Sequence, residues 1–206
     1  MENRIKSILK SSYDNSVEDR DRREIVSWKV KELDKALSYI EEGHGLKVLD
    51  LGAGSGMCAK YLEDAGLNAT CIDLSESMVN LCKKKDLEAY VMDFYNLKFE
   101  DNYFDVIWSL NTLLHVPSRD LETVLKGIKN ILKPNGLFYL GLYGGEGTEG
   151  IFEGDTYIPK RFFALYKADT IQDKINQYFN IERFEEIMTN QHHMKFYSII
   201  IKNTKV

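Results

Sequence analysis

The sequence is poor in the residues that hold small extracellular or metal-binding folds together. It has three cysteines in 206 residues, Cys58, Cys71 and Cys82, an odd number without C-x-x-C spacing. Disulfides and zinc sites are therefore disfavoured, and buried free thiols in a reducing cytoplasm are expected. No stretch approaches the ~18 uncharged residues of a membrane span, so no membrane association is expected.

The sequence also lacks a net positive charge, since 27 Lys and Arg residues stand against 32 Asp and Glu residues. The formal net charge is -5 at pH 7, which argues against a broad nucleic-acid footprint. The hydrophobic fraction of 44% is that of an ordinary globular protein. The length fits one domain over residues 1–206 that can bury an adequate core.

Short apolar runs alternate with helical segments, which indicates parallel βαβ units and an α/β fold. An amphipathic helix is predicted from Val26 to Ile40 and ends near Gly43 and Gly45. Strands are predicted at residues 47–51, 69–73, 89–93, 104–110, 137–142, 181–188 and 195–202. The last two are joined by residues 189–193, short enough for a hairpin, so the final strand should be antiparallel.

The strongest motif is Val48-Leu49-Asp50-Leu51-Gly52-Ala53-Gly54-Ser55-Gly56, a buried strand that runs into a G-x-G-x-G turn and a helix. Glycines there permit a sharp turn and a close ligand approach at the carboxyl end of the strand. The dinucleotide fingerprint G-x-G-x-x-G has a third glycine where this chain has Met57, which argues against a nicotinamide-dependent oxidoreductase.

Two carboxylates follow the next two strands. Asp73 ends the second strand, where it can accept both hydrogen bonds of a ribose diol, or act only as a loop or capping acid. Asp93 ends the third, beside Phe94, and can accept a bond from an adenine amino group or serve only a structural turn. Leu74 and Met78 are candidates to sandwich an adenine, or ordinary core residues.

In order and spacing, these residues from Lys47 to Leu142 resemble the class I S-adenosylmethionine-dependent methyltransferases. The resemblance implies a Rossmann-like, doubly wound seven-stranded sheet of order 3-2-1-4-5-7-6 with strand 7 antiparallel. It implies S-adenosylmethionine as cofactor, S-adenosylhomocysteine as product, and no metal. The residues that it assigns to the methionine end and the edge of the cofactor are Asp50, Gly52, Ala53, Gly54, Ser109 and Leu110.

Residues 1–45 resemble the N-terminal helical lid of small-molecule members, with Tyr13 and Trp28 as cofactor contacts or simple packing. His115, after the fourth strand, is the candidate general base, or a histidine packed beside Val116 and Pro117. An insertion over residues 143–170 is expected to form the substrate lid.

The acids of that insertion favour a small cationic or amine-bearing acceptor, although a solvated acidic loop explains them as well. A noncatalytic cofactor-binding protein of this fold is the alternative function. The sequence leaves open the acceptor, the atom that is methylated and the oligomeric state.

Overall fold

The computed structural model describes residues 2–40, 45–189 and 194–204. Its helices are α1 Glu2–Asp14, α2 Val17–Asp21, α3 Ser27–Leu37, α4 Met57–Asp64, α5 Glu76–Lys83, α6 Leu121–Ile131 and α7 Ala168–Asn176, with a 3-10 turn at Leu113–His115. Its strands are β1 Lys47–Leu51, β2 Asn68–Asp73, β3 Glu88–Val91, β4 Phe104–Leu110, β5 Leu132–Gly144, β6 Thr148–Ile151, β7 Phe162–Leu165, β8 Asn180–Met188 and β9 Lys195–Lys202.

Seven strands form one sheet in the order β3-β2-β1-β4-β5-β9-β8. β9 is antiparallel to both β5 and β8, whereas β1 to β5 pair in parallel. The predicted order and the antiparallel last strand are therefore confirmed. Most of the turn between β8 and β9, at residues 190–193, lies outside the described residues.

The core lies on both faces of this sheet because successive strand residues point to opposite sides. On β4, Ile107 packs on one face, while Val106 and Trp108 pack on the other. α6 covers the first face with a stripe at helical spacing, from Leu121 through Val124, Leu125 and Ile128 to Ile131. Both layers leave the carboxyl ends of the parallel strands free to form a site.

Local capping fixes the elements around that edge. Ser75 accepts a hydrogen bond from the Met78 amide and caps the start of α5. Gly66, with φ of 90°, follows the end of α4 in a left-handed conformation that glycine adopts readily. α4 begins at Met57, because Gly56 is itself left-handed.

Three segments differ from the sequence prediction. The polar N-terminus forms α1 and α2, and the third helix covers 27–37 only. The glycine-rich stretch after β5 is partly regular, since β6 pairs antiparallel with β7. β5 begins at Leu132 because Leu132 already pairs with Phe104 of β4. An irregularity in register separates this pair from the regular pairing that starts at Val106.

Cys71 and Cys82 are buried free thiols, and Cys58 is a partly exposed one. Within the described ranges, no helix has the length and apolar character needed to cross a membrane. No group of three or more metal-ligating side chains is found among those residues either.

Candidate functional site

A cavity of about 600 Å³ opens at the carboxyl ends of β1, β2 and β4. The glycine turn and the residues that follow β2, β3 and β4 form its floor. Its walls come from α1, the segment from α2 to α3, and the lid segment, defined as residues 143–170. This is the edge at which open α/β sheets bind ligands.

The turn after β1 depends on glycine at both G-x-G positions. Gly52 and Gly54 have φ of 74° and 56°, and a Cβ on Gly52 would collide with Thr112. The amides of Gly52 and Ala53 both donate to the Ile72 carbonyl, at 2.9 and 3.0 Å, and the Cys82 thiol donates to the Gly54 carbonyl at 3.3 Å. The turn is therefore fixed, with its backbone against the cavity.

Asp73 lies beside this turn as a fixed hydrogen-bond acceptor. Oδ2 accepts from the Gly54 amide and Oδ1 from the Ser75 amide, each at 2.9 Å. Burial raises the pKa of Asp73, while those two amides and Arg20 oppose the rise. A carboxylate offers about four lone pairs, so capacity remains for a pair of ligand hydroxyls.

Asp50 is the unsatisfied acid of the site. It is 2% exposed, lines the cavity, and its Oδ2 has no hydrogen-bond partner among the described residues. Burial, and secondarily the charge of Asp73, raises the pKa of Asp50 to about 7. A cationic donor from a ligand would relieve this carboxylate.

The Asp50→Asn variant is expected to be more stable than the wild type at pH 8 when no ligand is bound. The pKa of Asp50 is about 7 in the folded protein, against about 3.9 in an unfolded chain. Ionisation of Asp50 therefore lowers the free energy of unfolding of the wild type by roughly 3 kcal/mol as the pH rises from 4 to 7. The gain should be nearly lost at pH 4, where Asp50 is protonated in the folded protein and about half protonated in the unfolded chain. Urea denaturation of both proteins at pH 4, 6 and 8 measures it, and a gain independent of pH would contradict the assignment.

The acid after β3 is engaged by the N-terminal helix. Asp93 forms an ion pair with Lys6 at 2.6 Å, and its Oδ1 accepts from the Tyr95 amide at 3.0 Å. Asp93, Phe94 and Leu74 all line the cavity. Carboxylate, aromatic ring and aliphatic side chain thus lie together where an adenine was expected.

Two predicted cofactor residues are not brought into this group. Met78 is fully buried on the inner face of α5, and Ser109 is fully buried within β4; neither lines the cavity. Met78 follows its cap Ser75 by one helical turn, which directs it to the core rather than to the ligand edge. Leu110, the next residue of β4, does line the cavity, as do Ala53 and Gly54.

The candidate base His115 lies in a hydrogen-bonded chain. Its Nδ1 is 2.7 Å from the Phe162 carbonyl oxygen, which can only accept, so Nδ1 carries the hydrogen. His115 Nε2 therefore accepts a hydrogen bond from the Tyr13 hydroxyl, whose oxygen lies 2.9 Å from it. Arg161 Nη1 donates to the same Tyr13 oxygen at 3.0 Å. Asp155 holds Arg161 through two further bonds, at 2.9 and 2.8 Å.

This environment makes His115 a weak base. Burial, followed by the charge of Arg161, lowers the pKa of His115 to about 3. The ring is therefore neutral at pH 7, and both of its nitrogens already have partners. The geometry favours His115 as the residue that orients Tyr13, whose side chain also lines the cavity.

The acids of the lid segment do not give the cavity a free negative charge. Glu149 accepts from the Ser118 amide, Glu153 pairs with Lys160, and Asp155 pairs with Arg161. Glu146 is not a lining residue. The argument for a cationic acceptor from these acids loses its support, because the fold places them outside the cavity or neutralises them.

Sequence reasoning missed Arg20 and Asn111. Arg20 reaches the glycine turn, where a Cβ on Gly54 would lie 2.5 Å from its Nη2. Asn111 follows β4 with φ of 58°, a left-handed conformation that asparagine tolerates, and its buried Oδ1 has no partner in the described part of the chain. An asparagine after a strand was a signal for the second; nothing local signals the first.

The sheet order, glycine turn and acids define an α/β protein with a cavity at the ends of its parallel strands. Residues 49–140 match the model of the family described as "Methyltransferase domain". The chain is 30% identical over 163 residues to phosphoethanolamine N-methyltransferase 2 of Caenorhabditis elegans, covering 71% of this chain and 37% of that protein. It is 32% identical to the ubiquinone biosynthesis O-methyltransferase of Pseudomonas aeruginosa (strain UCBPP-PA14), over 50% of this chain and 48% of that protein.

Solved structures share the fold. The structure of 1,6-didemethyltoxoflavin-N1-methyltransferase of Burkholderia thailandensis, with bound 1,6-didemethyltoxoflavin and S-adenosylhomocysteine, has a TM-score of 0.74 at 17% identity, over 97% of this chain and 88% of that one. Residues 49–140 therefore match a methyltransferase domain, and the chain has the fold and strand order expected of the class I S-adenosylmethionine-dependent methyltransferases. It spans less than half the length of the two curated relatives named above.

Proposed function

We propose that this protein transfers the methyl group of S-adenosylmethionine to a small-molecule acceptor. The observation that carries the proposal is the set of matched groups on the cavity floor. The Asp50 oxygen suits an ammonium, the fixed Asp73 suits a ribose diol, and the buried Nε of Arg20, which has no partner among the described residues, suits a carboxylate. S-adenosylmethionine offers all three, and when bound it supplies a methyl group already activated by its sulfonium.

The remaining floor residues would hold the other end of the cofactor. Asp93 would accept from an adenine amino group, with Lys6 holding its carboxylate in place. Leu74 and Phe94 would pack against the ring. The glycine turn would allow backbone contact with the methionine moiety, because no Cβ projects from Gly52 or Gly54.

Tyr13 would contact the acceptor. Its oxygen donates to neutral His115 and accepts from Arg161, so one lone pair is left for an N–H or O–H of the acceptor. This chain would contribute to methyl transfer in two ways. Tyr13 would orient the nucleophile, and α1 and the lid segment would exclude water. Residues 1–45 and the lid segment serve as lids in this proposal.

The alternatives predict different ligands. A noncatalytic relative would bind S-adenosylmethionine without consuming it across a panel of acceptors, and a nicotinamide-dependent oxidoreductase would bind NAD. A methyl-transfer assay with labelled S-adenosylmethionine and a panel of small amines, carboxylates and phosphate esters separates the first alternative from the enzyme.

The proposed location is the cytoplasm, where the buried thiols of Cys71 and Cys82 would stay reduced.

Tyr157→Phe is expected to raise the KM for the acceptor about tenfold and leave the affinity for S-adenosylhomocysteine unchanged. Tyr157 belongs to the lid segment and lines the cavity. Its hydroxyl is buried and has no hydrogen-bond partner in the described structure. Losing one ligand hydrogen bond of this kind costs about 1 to 1.5 kcal/mol. Steady-state kinetics measures the change, with the partly exposed Tyr90→Phe as control; equal KM values in both variants would remove Tyr157 from recognition.

A further inference from the structure

One wall of the cavity carries three cations. Arg20 lies in α2, Arg23 in the connection that follows, and Lys29 in the first turn of α3. All three line the cavity. We call these residues the basic wall.

Among the described residues, no acid lies at ion-pair distance from the basic wall, although the charge of Arg20 acts on Asp73. The other lining cations are matched, Lys6 by Asp93 at 2.6 Å and Arg161 by Asp155 at 2.8 Å. Within residues 2–40, 45–189 and 194–204, no ion pair involves a basic-wall residue. Glu24, which also lines the cavity, is exposed and takes part in none of the ion pairs described there.

Lys29 is a particularly uncompensated charge. Its Nζ lies 5.4, 5.5 and 5.9 Å from the ring centroids of Trp28, Tyr143 and Phe196, so aromatic faces surround it. Burial lowers the pKa of Lys29 to about 8, with Arg20 and Arg23 adding to the effect and only Cys58 opposing it. An anion bound here would give the Lys29 ammonium an ionic partner, which none of the described residues supplies.

The three cations divide between two anions. Arg20 is packed against Gly54 of the glycine turn, where the carboxylate of the methionine moiety belongs. Arg23 instead lies 5.7 Å from the Tyr157 ring of the lid segment, and Lys29 lies against Tyr143, where the lid segment begins. These two remain for a second anionic group, on the acceptor side of the cavity.

We infer that the methyl acceptor is an anionic small molecule whose carboxylate or phosphate group is bound by Arg23 and Lys29. The inference rests on the proposed function and names the acceptor class for the same site. It replaces the expectation of a cationic acceptor drawn from the lid acids. Arg23 supplies a planar fork of donors and Lys29 a point charge, which together suit an oxyanion.

The test uses the protein saturated with S-adenosylhomocysteine and titrated with inorganic phosphate, acetate or tetramethylammonium at constant ionic strength. The readout is tryptophan fluorescence, because Trp28 adjoins Lys29. Phosphate or acetate should give a saturable change, and which of the two binds more tightly distinguishes a phosphate acceptor from a carboxylate one. Tetramethylammonium should give none.

Variants test whether the basic wall binds these anions. Lys29→Met and Arg23→Gln should each weaken anion binding tenfold or more. Lys31→Met, an exposed lysine of the same helix, should not change it. The dissociation constant for S-adenosylhomocysteine should stay within about threefold in all of these variants.

Wild-type affinity for acetate, which stays fully ionised over this range, should also fall between pH 7 and pH 9. Lys29 is charged below its pKa of about 8 and neutral above it, whereas burial raises the pKa values of Cys58 and Tyr143 so that both stay neutral, and arginine side chains keep their charge in proteins. Lys29→Met should abolish this pH dependence.

Three outcomes overturn the inference. Absence of saturable phosphate and acetate binding would do so, as would an equal loss in Lys31→Met. Competition between phosphate and S-adenosylhomocysteine would assign the basic wall to the cofactor carboxylate instead. Failure of S-adenosylhomocysteine itself to bind would be a separate result, which overturns the proposed function and this inference with it.

Discussion

Tyr13→Phe is expected to lower the turnover number about 100-fold while S-adenosylhomocysteine binds as to the wild type. The Tyr13 hydroxyl joins His115 Nε2 at 2.9 Å to Arg161 Nη1 at 3.0 Å, and its ring lines the cavity. Phenylalanine keeps the ring but removes the contact that orients the acceptor nucleophile, and misorientation alone can cost on the order of 100-fold. Turnover under saturating acceptor and calorimetric affinity measure the two quantities separately.

Variants of His115 test whether this residue acts on turnover only by orienting Tyr13. If His115 only orients Tyr13, then His115→Ala should lower turnover less than Tyr13→Phe, and the double variant should be no slower than Tyr13→Phe alone. With its pKa near 3, His115 should contribute no inflection to the turnover profile between pH 6 and pH 9. An inflection in that interval that disappears in His115→Ala would show instead that His115 is the base.

Asp73→Ala is expected to weaken S-adenosylhomocysteine binding about 100-fold. The carboxylate accepts from the Gly54 and Ser75 amides, so its loss removes the diol acceptor and leaves two amides of the glycine turn unpaired. Hydrogen bonds to a charged group are worth about 1.5 to 3 kcal/mol, which corresponds to roughly ten- to hundredfold or more in affinity. Isothermal titration calorimetry measures the loss.

Two variants control this experiment. Asp64→Ala removes an acid from the end of α4 that is 66% exposed and should leave affinity unchanged. Asp93→Ala should weaken binding less than Asp73→Ala, because ring packing against Leu74 and Phe94 remains. Unchanged affinity in a folded Asp73→Ala protein, judged by near-ultraviolet circular dichroism, would reject the ribose assignment.

The sheet was predictable because its signals are local and periodic. Alternating strands, Gly66 at a helix end and Ser75 as a cap each act within a few residues, and the order of the strands follows from the resemblance they carry. α1 was missed although Ile5, Ile8 and Leu9 recur at helical spacing, because its many polar residues mask a short stripe. The β6–β7 hairpin was missed because its glycines and acids are typical of irregular loops.

The floor of the site was predictable for the same reason, and the walls were not. The lining residues that were predicted lie in the last two residues of a strand or just after its end, where the sequence marks the strand: Asp50, Gly52, Gly54, Asp73 and Asp93. Arg20 at Gly54, Lys6 at Asp93 and Tyr13 at His115 are contacts between distant parts of the chain, which no local pattern encodes. The charge of the lid segment could not be interpreted from the sequence for the same reason, since the partners of Glu149 and Asp155 are known only once the chain is folded.

The most direct measurement of the central claim is calorimetric titration of the wild-type protein with S-adenosylhomocysteine and, in parallel, with NAD. The matched floor groups, Asp50, Asp73 and Arg20, predict one site per chain for S-adenosylhomocysteine at micromolar strength, and no comparable binding of NAD. Comparable or tighter binding of NAD, or no binding of S-adenosylhomocysteine to the folded protein, would contradict the account.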